Sequence, residues 1–532
     1  MLSVQNLCIY TEDKQQLLNN ISFNLEHGVF KAIVGESGSG KSLTALSIAK
    51  LLSTNLSTSG AILWNNVDIL SITEEQLINY RKTELAFVFQ NPMHCLNPVV
   101  KCGEQIAEVF KLQKLDPKQI PGRINNVLEQ VNLLEFDRIK NAYPHELSGG
   151  QKQRIMIAIA LASNAKLLIA DEPSTALDVL VQQDILTLLK NLQNSNKLSI
   201  LFITHDLNLA FKYADDIIVM KDGEIVEEDT SSIIKNNPQE KYTQGLIHCR
   251  PQRNNYVRPL PTVEEYIQGT HSSKTHSKPN TTYTDLLFEI ENVSFAYGQT
   301  QVLHNLDFSI YKGESLGIVG ASGSGKSTFG KCIMRILNGF HGNIKLSKTP
   351  ISNIPIADYR KQVQMVFQDP YGSLDGRPKV KKQLDEIYKT YYPNLDANQR
   401  LSKMKILMED VGLEHSYLNT RPRELSGGQR QRICIARCLI SGAKTLILDE
   451  SIAALDVSIQ AKILNLLNNL RDKYGLTYIF ISHDLESVHY FCDRILVLNQ
   501  GKIEEIDSAE AIMNASQSKY TKQLLKASLT TF

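Results

Sequence analysis

One eight-residue stretch constrains this chain more than any other. Gly35-Glu36-Ser37-Gly38-Ser39-Gly40-Lys41-Ser42 fits the phosphate-binding loop pattern G-x-x-x-x-G-K-[ST]. An apolar run before it, Phe30 to Val34, reads as a buried strand, and residues 43–52 after it have the apolar spacing of a helix. The loop therefore belongs at a helix N-terminus, where backbone N–H groups have no partner inside the helix and point at an anion. Glycines let the backbone close around phosphates, Lys41 brings a charge to the outer ones, and the Ser42 hydroxyl can ligate Mg²⁺. The pattern returns at Gly320-Ala321-Ser322-Gly323-Ser324-Gly325-Lys326-Ser327, with Thr328 next, again between an apolar strand (Ser315 to Val319) and a helix.

The recurrence is part of a duplication. The two loops begin 285 residues apart, but every later landmark is displaced by 278: Phe89-Gln90 and Phe367-Gln368, Leu147-Ser148-Gly149-Gly150-Gln151 and Leu425-Ser426-Gly427-Gly428-Gln429, Asp171-Glu172 and Asp449-Glu450, His205-Asp206 and His483-Asp484. A net deletion of seven residues in the second copy thus falls between the loop helix and Gln368, in a segment that reads as short alternating strands. The domains expected are residues 1–248 and 286–532. Residues 249–285, rich in Pro, Asn, Thr, Ser and His, read as an exposed linker. Such a tether spans roughly 30 Å as a coil and keeps the halves near millimolar concentration, so they should pair. Residues 166–170, 199–204, 445–448 and 477–482 are apolar enough for the middle of a covered parallel sheet, whereas 97–143 and 377–420 carry helical periodicity. The fold class expected is α/β: two tandem P-loop NTPase domains, each with an antiparallel β subdomain and an inserted helical subdomain.

Asp171-Glu172 and Asp449-Glu450 end apolar strands on the sheet edge where α/β folds place ligands. The first acid of each pair is placed to hold Mg²⁺, and the second to accept a proton from water attacking a γ-phosphate. The Leu-Ser-Gly-Gly-Gln runs each start a long helix, expected over 151–162 and 429–441. A serine alone would cap it, while adjacent glycines weaken a helix and suit a place where backbone meets phosphate.

Composition removes other classes. Lys+Arg 57 against Asp+Glu 56 leaves no basic field for nucleic acid. No apolar run reaches the roughly 18 residues that cross a bilayer. The eight cysteines contain no C-x-x-C pair, and Cys434 and Cys438, one helical turn apart, read as reduced core residues.

Taken together, the signature runs, the acidic pair followed by Pro173-Ser174-Thr175-Ala176-Leu177-Asp178, and Thr204-His205-Asp206 resemble the ATP-binding cassette family over nearly the whole chain. That resemblance implies a head-to-tail pairing in which ATP on one P-loop is completed by the signature of the other half. Lys41, Ser42, Gln90, Asp171, Glu172 and His205 would work with Ser426, Gly427 and Gly428; Lys326, Ser327, Gln368, Asp449, Glu450 and His483 with Ser148, Gly149 and Gly150. Each His would contact the γ-phosphate and each Gln would reach Mg²⁺ and the attacking water, making Ser42, Gln90, Asp171, Ser327, Gln368 and Asp449 the metal set. Asp178 and Asp456 would lie between the sites. Tyr297 is placed to stack on adenine, and aligning Asn6-Leu7 with Asn292-Val293 puts Thr11 opposite it. The second half has Ser451 where the first has Pro173, which frees a restricted backbone position.

Phe89-Gln90-Asn91-Pro92-Met93 with Leu96-Asn97-Pro98, Phe367-Gln368-Asp369-Pro370, and the tails Lys241-Tyr242-Thr243-Gln244 and Lys519-Tyr520-Thr521-Lys522 are similar to ATPases of bacterial peptide importers, especially the fused two-cassette type associated with microcin C uptake. The likeness implies a peripheral subunit on the cytoplasmic face of the inner membrane. Two transmembrane permeases would dock near Gln90 and Gln368, served indirectly by a periplasmic solute-binding protein, with no nucleic acid involved. The alternative is a soluble tandem-cassette ATPase acting on ribosomes or DNA, which would be expected to carry a basic surface, C-x-x-C insertions or a long charged helical linker.

Overall fold

Among the described residues, ten strands build the first half: β1 (Leu2–Thr11), β2 (Gln16–Leu25), β3 (Phe30–Val34), β4 (Leu56–Trp64), β5 (Val67–Asp68), β6 (Leu85–Val88), β7 (Leu167–Asp171), β8 (Ser199–Thr204), β9 (Asp216–Lys221) and β10 (Glu224–Thr230). One sheet is antiparallel, in the order β2-β1-β4-β5; the other runs β10-β9-β3-β8-β7-β6. In the second sheet all neighbours are parallel except the β9-β10 hairpin at its edge. Strands β3, β7 and β8 are buried at every residue, as continuous apolar runs must be when a parallel sheet is covered on both faces. Strand β1 instead keeps a mixed burial pattern, with one side of its sheet facing the core. That side packs Leu2, Ile9, Phe23 and Trp64 with Ile33, Ile169 and Ile203 of the parallel sheet.

The second half repeats the plan with β11 (Leu286–Tyr297), β12 (Thr300–Tyr311), β13 (Ser315–Val319), β14 (His341–Leu346), β15 (Thr349–Pro350), β16 (Val363–Val366), β17 (Thr445–Asp449), β18 (Thr477–Ile481), β19 (Arg494–Asn499) and β20 (Lys502–Ser508). Its sheets run β12-β11-β14-β15 and β16-β17-β18-β13-β19-β20, the same connectivity. The repeat extends to backbone irregularities: Asn6 and Asn292, with φ of 49° and 50°, sit at matching breaks in strand register. This supports aligning Thr11 with Tyr297.

The described residues are 1–90, 95–173, 177–253, 256–270, 283–452 and 455–528 of the computed structural model, and they divide into two units, Met1–Ile247 and His248–Phe532. Asn91, Pro92, Met93, Ser174, Thr175 and Ala176, named above as carrying family likeness, lie outside the described residues. Each half inserts helices between its sixth and seventh strands: Cys102–Leu112, Ile120–Gln130 and Phe136–Asn141 in the first, Val380–Tyr391 and Ala397–Asp410 in the second. Their periodic apolar residues, among them Ile106, Phe110, Ile124, Leu384 and Met404, are buried. No helix among the described residues is long and apolar enough to cross a membrane.

Two expectations change. The shortened segment of the second copy is not all strand: β14 has six residues to the nine of β4, and the helix Ile356–Gln362 has seven to the ten of Glu74–Thr83. The linker also departs from an exposed coil. Its part at 256–270 lies along the helix Val457–Tyr474 of the second unit. The backbone of Leu260 exchanges hydrogen bonds with the Asn465 amide (2.9 and 2.8 Å), Glu264 meets Lys462 (2.7 Å), and Arg258 pairs with Asp472. Leu260 is 3% exposed, and Thr262 and Glu265 form a capping box for the short helix Val263–Gln268. A low-periodicity sequence hid this because two apolar anchors, Leu260 and Val263, are enough to hold it.

Candidate functional site

Four parallel strands deliver the chemistry to one sheet edge. Register places Val34 of β3 beside Thr204 of β8, Ile203 beside Asp171 of β7, and Ala170 beside Val88 of β6. The phosphate loop, His205, Glu172 and Gln90 follow those strand ends within two residues. In the second half β13, β18, β17 and β16 do the same for the loop, His483, Glu450 and Gln368.

The first glycine of each loop sits where a side chain would force the backbone to shift. Gly35 has φ of 153° and a Cβ there would lie 2.2 Å from the Met220 carbonyl oxygen; Gly320 has φ of 155° and would meet the Leu498 oxygen at 2.1 Å. Ser37, Gly38, Ser322 and Gly323 form the exposed rim, while Ser39, Gly40, Ser324 and Gly325 are buried beneath it. Lys41 Nζ donates to the carbonyls of Gly35 (2.9 Å) and Glu36 (2.7 Å), and Lys326 Nζ to those of Gly320 (2.8 Å) and Ala321 (2.9 Å). Each lysine opens a helix, Lys41–Ile48 or Lys326–Ile333, with Thr328 in the first turn of the latter.

Beside each loop, a serine hydroxyl donates to an aspartate: Ser42 to Asp171 Oδ1 at 3.1 Å, Ser327 to Asp449 Oδ1 at 2.7 Å. Burial pushes the Asp171 carboxyl up to about 6, with the Ser42 hydroxyl opposing; Asp449 is raised for the same reason. Two hard oxygen donors that carry this desolvation cost fit Mg²⁺, which neutralises such carboxylates. Among the described residues no group of three or more His, Cys, Asp or Glu could hold a metal alone, so a cation here would take most of its ligands from nucleotide and water.

The next residue in each half is clasped from two sides. Gln90 Nε2 donates to Glu172 Oε2 at 2.8 Å, and His205 Nδ1 lies 2.9 Å from Glu172 Oε1. Gln368 Nε2 donates to Glu450 Oε2 at 2.8 Å, and His483 Nδ1 lies 3.7 Å from Glu450 Oε1. The neighbouring His483 imidazole is the leading cause that holds the Glu450 carboxyl below its ordinary range, with burial opposing. Both glutamates have left-handed backbone, φ 44° and 45°, and each N–H donates at 2.9 Å to an isoleucine carbonyl, Ile203 or Ile481. Strain of this kind in a non-glycine residue costs on the order of 1–3 kcal/mol and turns the side chain away from the strand direction. Sequence reading did not foresee it. The Pro173 and Ser451 difference leaves it unchanged.

The signature serines cap their helices, Gly149–Ala162 and Gly427–Ile440. Ser148 Oγ accepts from Gln151 N–H and Ser426 Oγ from Gln429 N–H, both at 3.3 Å. The second glycine of each pair has a packing reason beyond any ligand: a Cβ on Gly150 would come within 2.5 Å of Val181, and on Gly428 within 2.6 Å of Ile459. Asp178 caps Val179–Asn196 through the Val181 N–H, and Asp456 holds the same place before Val457–Tyr474. Tyr297 ends β11 half-exposed, whereas Thr11 Oγ1 accepts the Gln15 N–H in a turn. Tyr242 and Tyr520 of the tails also reach the phosphate loops, a contact that motif reading did not foresee. Their repetition at a displacement of 278 was the available signal.

Comparison with known proteins gives concordant matches. The family described as ABC transporter matches residues 18–175 and 303–453. The peptidoglycan transport ATP-binding protein YejF of Agrobacterium fabrum is 39% identical over 520 residues, covering 96% of this chain and 92% of that one. The glutathione import ATP-binding protein GsiA of Shigella dysenteriae is 36% identical over 562 residues, covering 99% of this chain and 89% of that protein. Among solved structures, the archaeal ribosome recycling factor aABCE1, in complex with the ribosomal stalk protein aP1, superposes with a TM-score of 0.61 at 21% identity, covering 93% of this chain and 88% of that one. It shares the tandem fold.

Proposed function

The chain belongs to the ABC transporter family and is an ATPase with two cassettes, and on that premise we propose that it is the energy-coupling subunit of an importer for peptides or peptide-like solutes. The observation that carries the reading is the doubled constellation of a phosphate loop, a Ser–Asp oxygen pair and a Gln–Glu–His clasp at one sheet edge of each half. The relatives' names, one for glutathione, itself a tripeptide, and one for peptidoglycan, point the substrate class toward peptide-like molecules.

In this reading each ATP lies on the loop of one half and is closed by the Ser-Gly-Gly helix start of the other. Backbone N–H groups of the loop and the lysine hold the β- and γ-phosphates. Gln90 or Gln368 orients a water, whose oxygen attacks the γ-phosphorus as the bond to the bridging oxygen breaks; Glu172 or Glu450 takes the proton. His205 or His483 orients that carboxylate and meets the γ-phosphate. Ser42 and Asp171 in one half, and Ser327 and Asp449 in the other, would hold Mg²⁺, which would supply neutralisation of the phosphate charge. Closure on binding and opening after hydrolysis would drive the permeases.

Exposed apolar side chains close in sequence to each glutamine support a docking surface for permease helices: Phe89 in the first half, Phe367 and Tyr371 in the second. The segment there is tied to the signature helix, with the Arg430 guanidinium 3.5 Å over the Tyr371 ring and Arg437 donating to the Ser373 carbonyl. Affinity purification of the tagged chain from detergent-solubilised bacterial inner membranes tests the reading. Two permease chains should co-purify; recovery with ribosomes instead would transfer the protein to a different class.

A further inference from the structure

The tail of each half carries a tyrosine that no role above uses. Tyr242 lies on the helix Lys241–His248 and Tyr520 on the helix Lys519–Ser528. Both reach back some 200 residues to the second position of their own half's phosphate loop. The Ala321 N–H donates to Tyr520 Oη at 3.0 Å, and the Glu36 N–H to Tyr242 Oη at 3.4 Å. Tyr242 Oη in turn donates to Glu36 Oε2 at 3.4 Å, which leaves an oxygen lone pair for the backbone.

The same residue is held from its other end. The Glu36 carbonyl accepts from Lys41 Nζ and the Ala321 carbonyl from Lys326 Nζ. The tail hydroxyl and the phosphate-binding lysine therefore grip one residue between them, at the point where the chain leaves the rigid strand and enters the glycine-rich turn. Beyond it, Gly38 and Gly40 have φ of 83° and 98°, and Gly323 and Gly325 have 76° and 102°, so the turn has little stiffness of its own. A loop with that freedom loses it when it closes on a phosphate, and a brace at its entry removes part of the loss beforehand.

Packing alone does not account for a hydroxyl here. The Tyr242 ring is 5% exposed, with Lys221 Nζ 5.1 Å from its centre, and a phenylalanine would fill the same space without a polar atom to satisfy. The contact also occurs twice in one chain, on loops whose second residues differ, Glu36 and Ala321, so it follows the backbone rather than a side-chain pair.

We propose that Tyr242 and Tyr520 are positioning residues for nucleotide binding, each hydroxyl holding the entry of its phosphate loop in the shape that receives ATP. The tail of each half is then part of its own ATP site. This rests on the loops being ATP sites and not on what the chain imports.

The test is Tyr242→Phe/Tyr520→Phe in the full chain, with MgATP binding, ATPase kcat and KM, and thermal melting measured beside wild type. Loss of one hydrogen bond per loop should raise KM and weaken MgATP binding about three- to tenfold, with kcat within about twofold and a melting temperature lowered by no more than about 2–4 °C. Of the single variants, Tyr520→Phe should shift more, because its bond is the shorter. A companion Tyr→Leu pair, which also removes the ring, should lower the melting temperature and separates tail packing from the hydroxyl. Phe variants that bind MgATP as wild type does, or that weaken binding only in step with lost melting temperature, overturn the proposal. Wild type that binds no MgATP would instead overturn the ATP-site assignment on which it rests.

Discussion

Placing a methyl group at the first position of both loops is the sharpest test of how the phosphate site is built. In Gly35→Ala the new Cβ falls 2.2 Å from the Met220 carbonyl oxygen, and in Gly320→Ala 2.1 Å from that of Leu498. Ordinary contact begins near 3.5 Å, so either backbone must give by about 1 Å. The carbonyls belong to β9 and β19, each paired on both sides within its sheet, so the loop moves instead. A displacement of that size at a reacting site costs about 10²-fold. The φ near 155° adds strain on the order of 1–3 kcal/mol. Gly28→Ala/Gly313→Ala is the control: those residues have φ of 74° and 76°, but a Cβ there meets nothing closer than 3.9 Å. The assay is kcat/KM for MgATP in the purified full chain, with thermal melting to monitor folding. Gly35→Ala/Gly320→Ala should lose at least about 10²-fold, and the control should lose stability of about 1–2 kcal/mol with kcat/KM nearly intact. Equal losses of kcat/KM in the two folded pairs, or a loop variant with wild-type KM, would refute the steric argument.

Glu172→Gln and Glu450→Gln should each lower turnover at their own site by about 10²-fold or more, read from steady-state ATPase rates, and wild-type activity in either would remove that glutamate as the base. Leu260→Ala should cost the second unit about 2–3 kcal/mol in urea unfolding, because the side chain is 3% exposed against the helix Val457–Tyr474; an exposed linker would lose almost nothing. Thiol titration of the folded chain at pH 8 should find Cys95 and, more slowly, Cys8, with the six buried cysteines reacting only after denaturation. Burial pushes Cys434 up to about 11 and Cys438 up to about 12, leaving almost no thiolate, and fast reaction of more than two thiols would contradict the packing.

Much of this site was legible before any coordinates because its parts are local. A strand, a glycine-rich turn and a helix occupy contiguous residues, so Gly35 to Ser42 specifies its own backbone, and the second copy at Gly320 to Ser327 repeats it. The duplication, the acidic pairs at strand ends and the signature serines as helix caps follow from short-range pattern in the same way. Which of these parts touch, atom to atom, is decided by the tertiary structure. Gln90 and Glu172 are 82 residues apart, Glu36 and Tyr242 are 206, and nothing in either segment names its partner; parallel pairing of β3, β8, β7 and β6 brings the first pair together, and docking of the tail helix the second. The same holds for the left-handed backbone of Glu172 and Glu450, where neighbouring strands impose a conformation that glutamate does not prefer, and for residues 256–270, whose place along the helix Val457–Tyr474 is fixed by contacts some 200 residues away in sequence. Local sequence encodes backbone shape through steric preference, whereas contacts across many residues depend on burial and register, quantities that exist only once the sheet has formed.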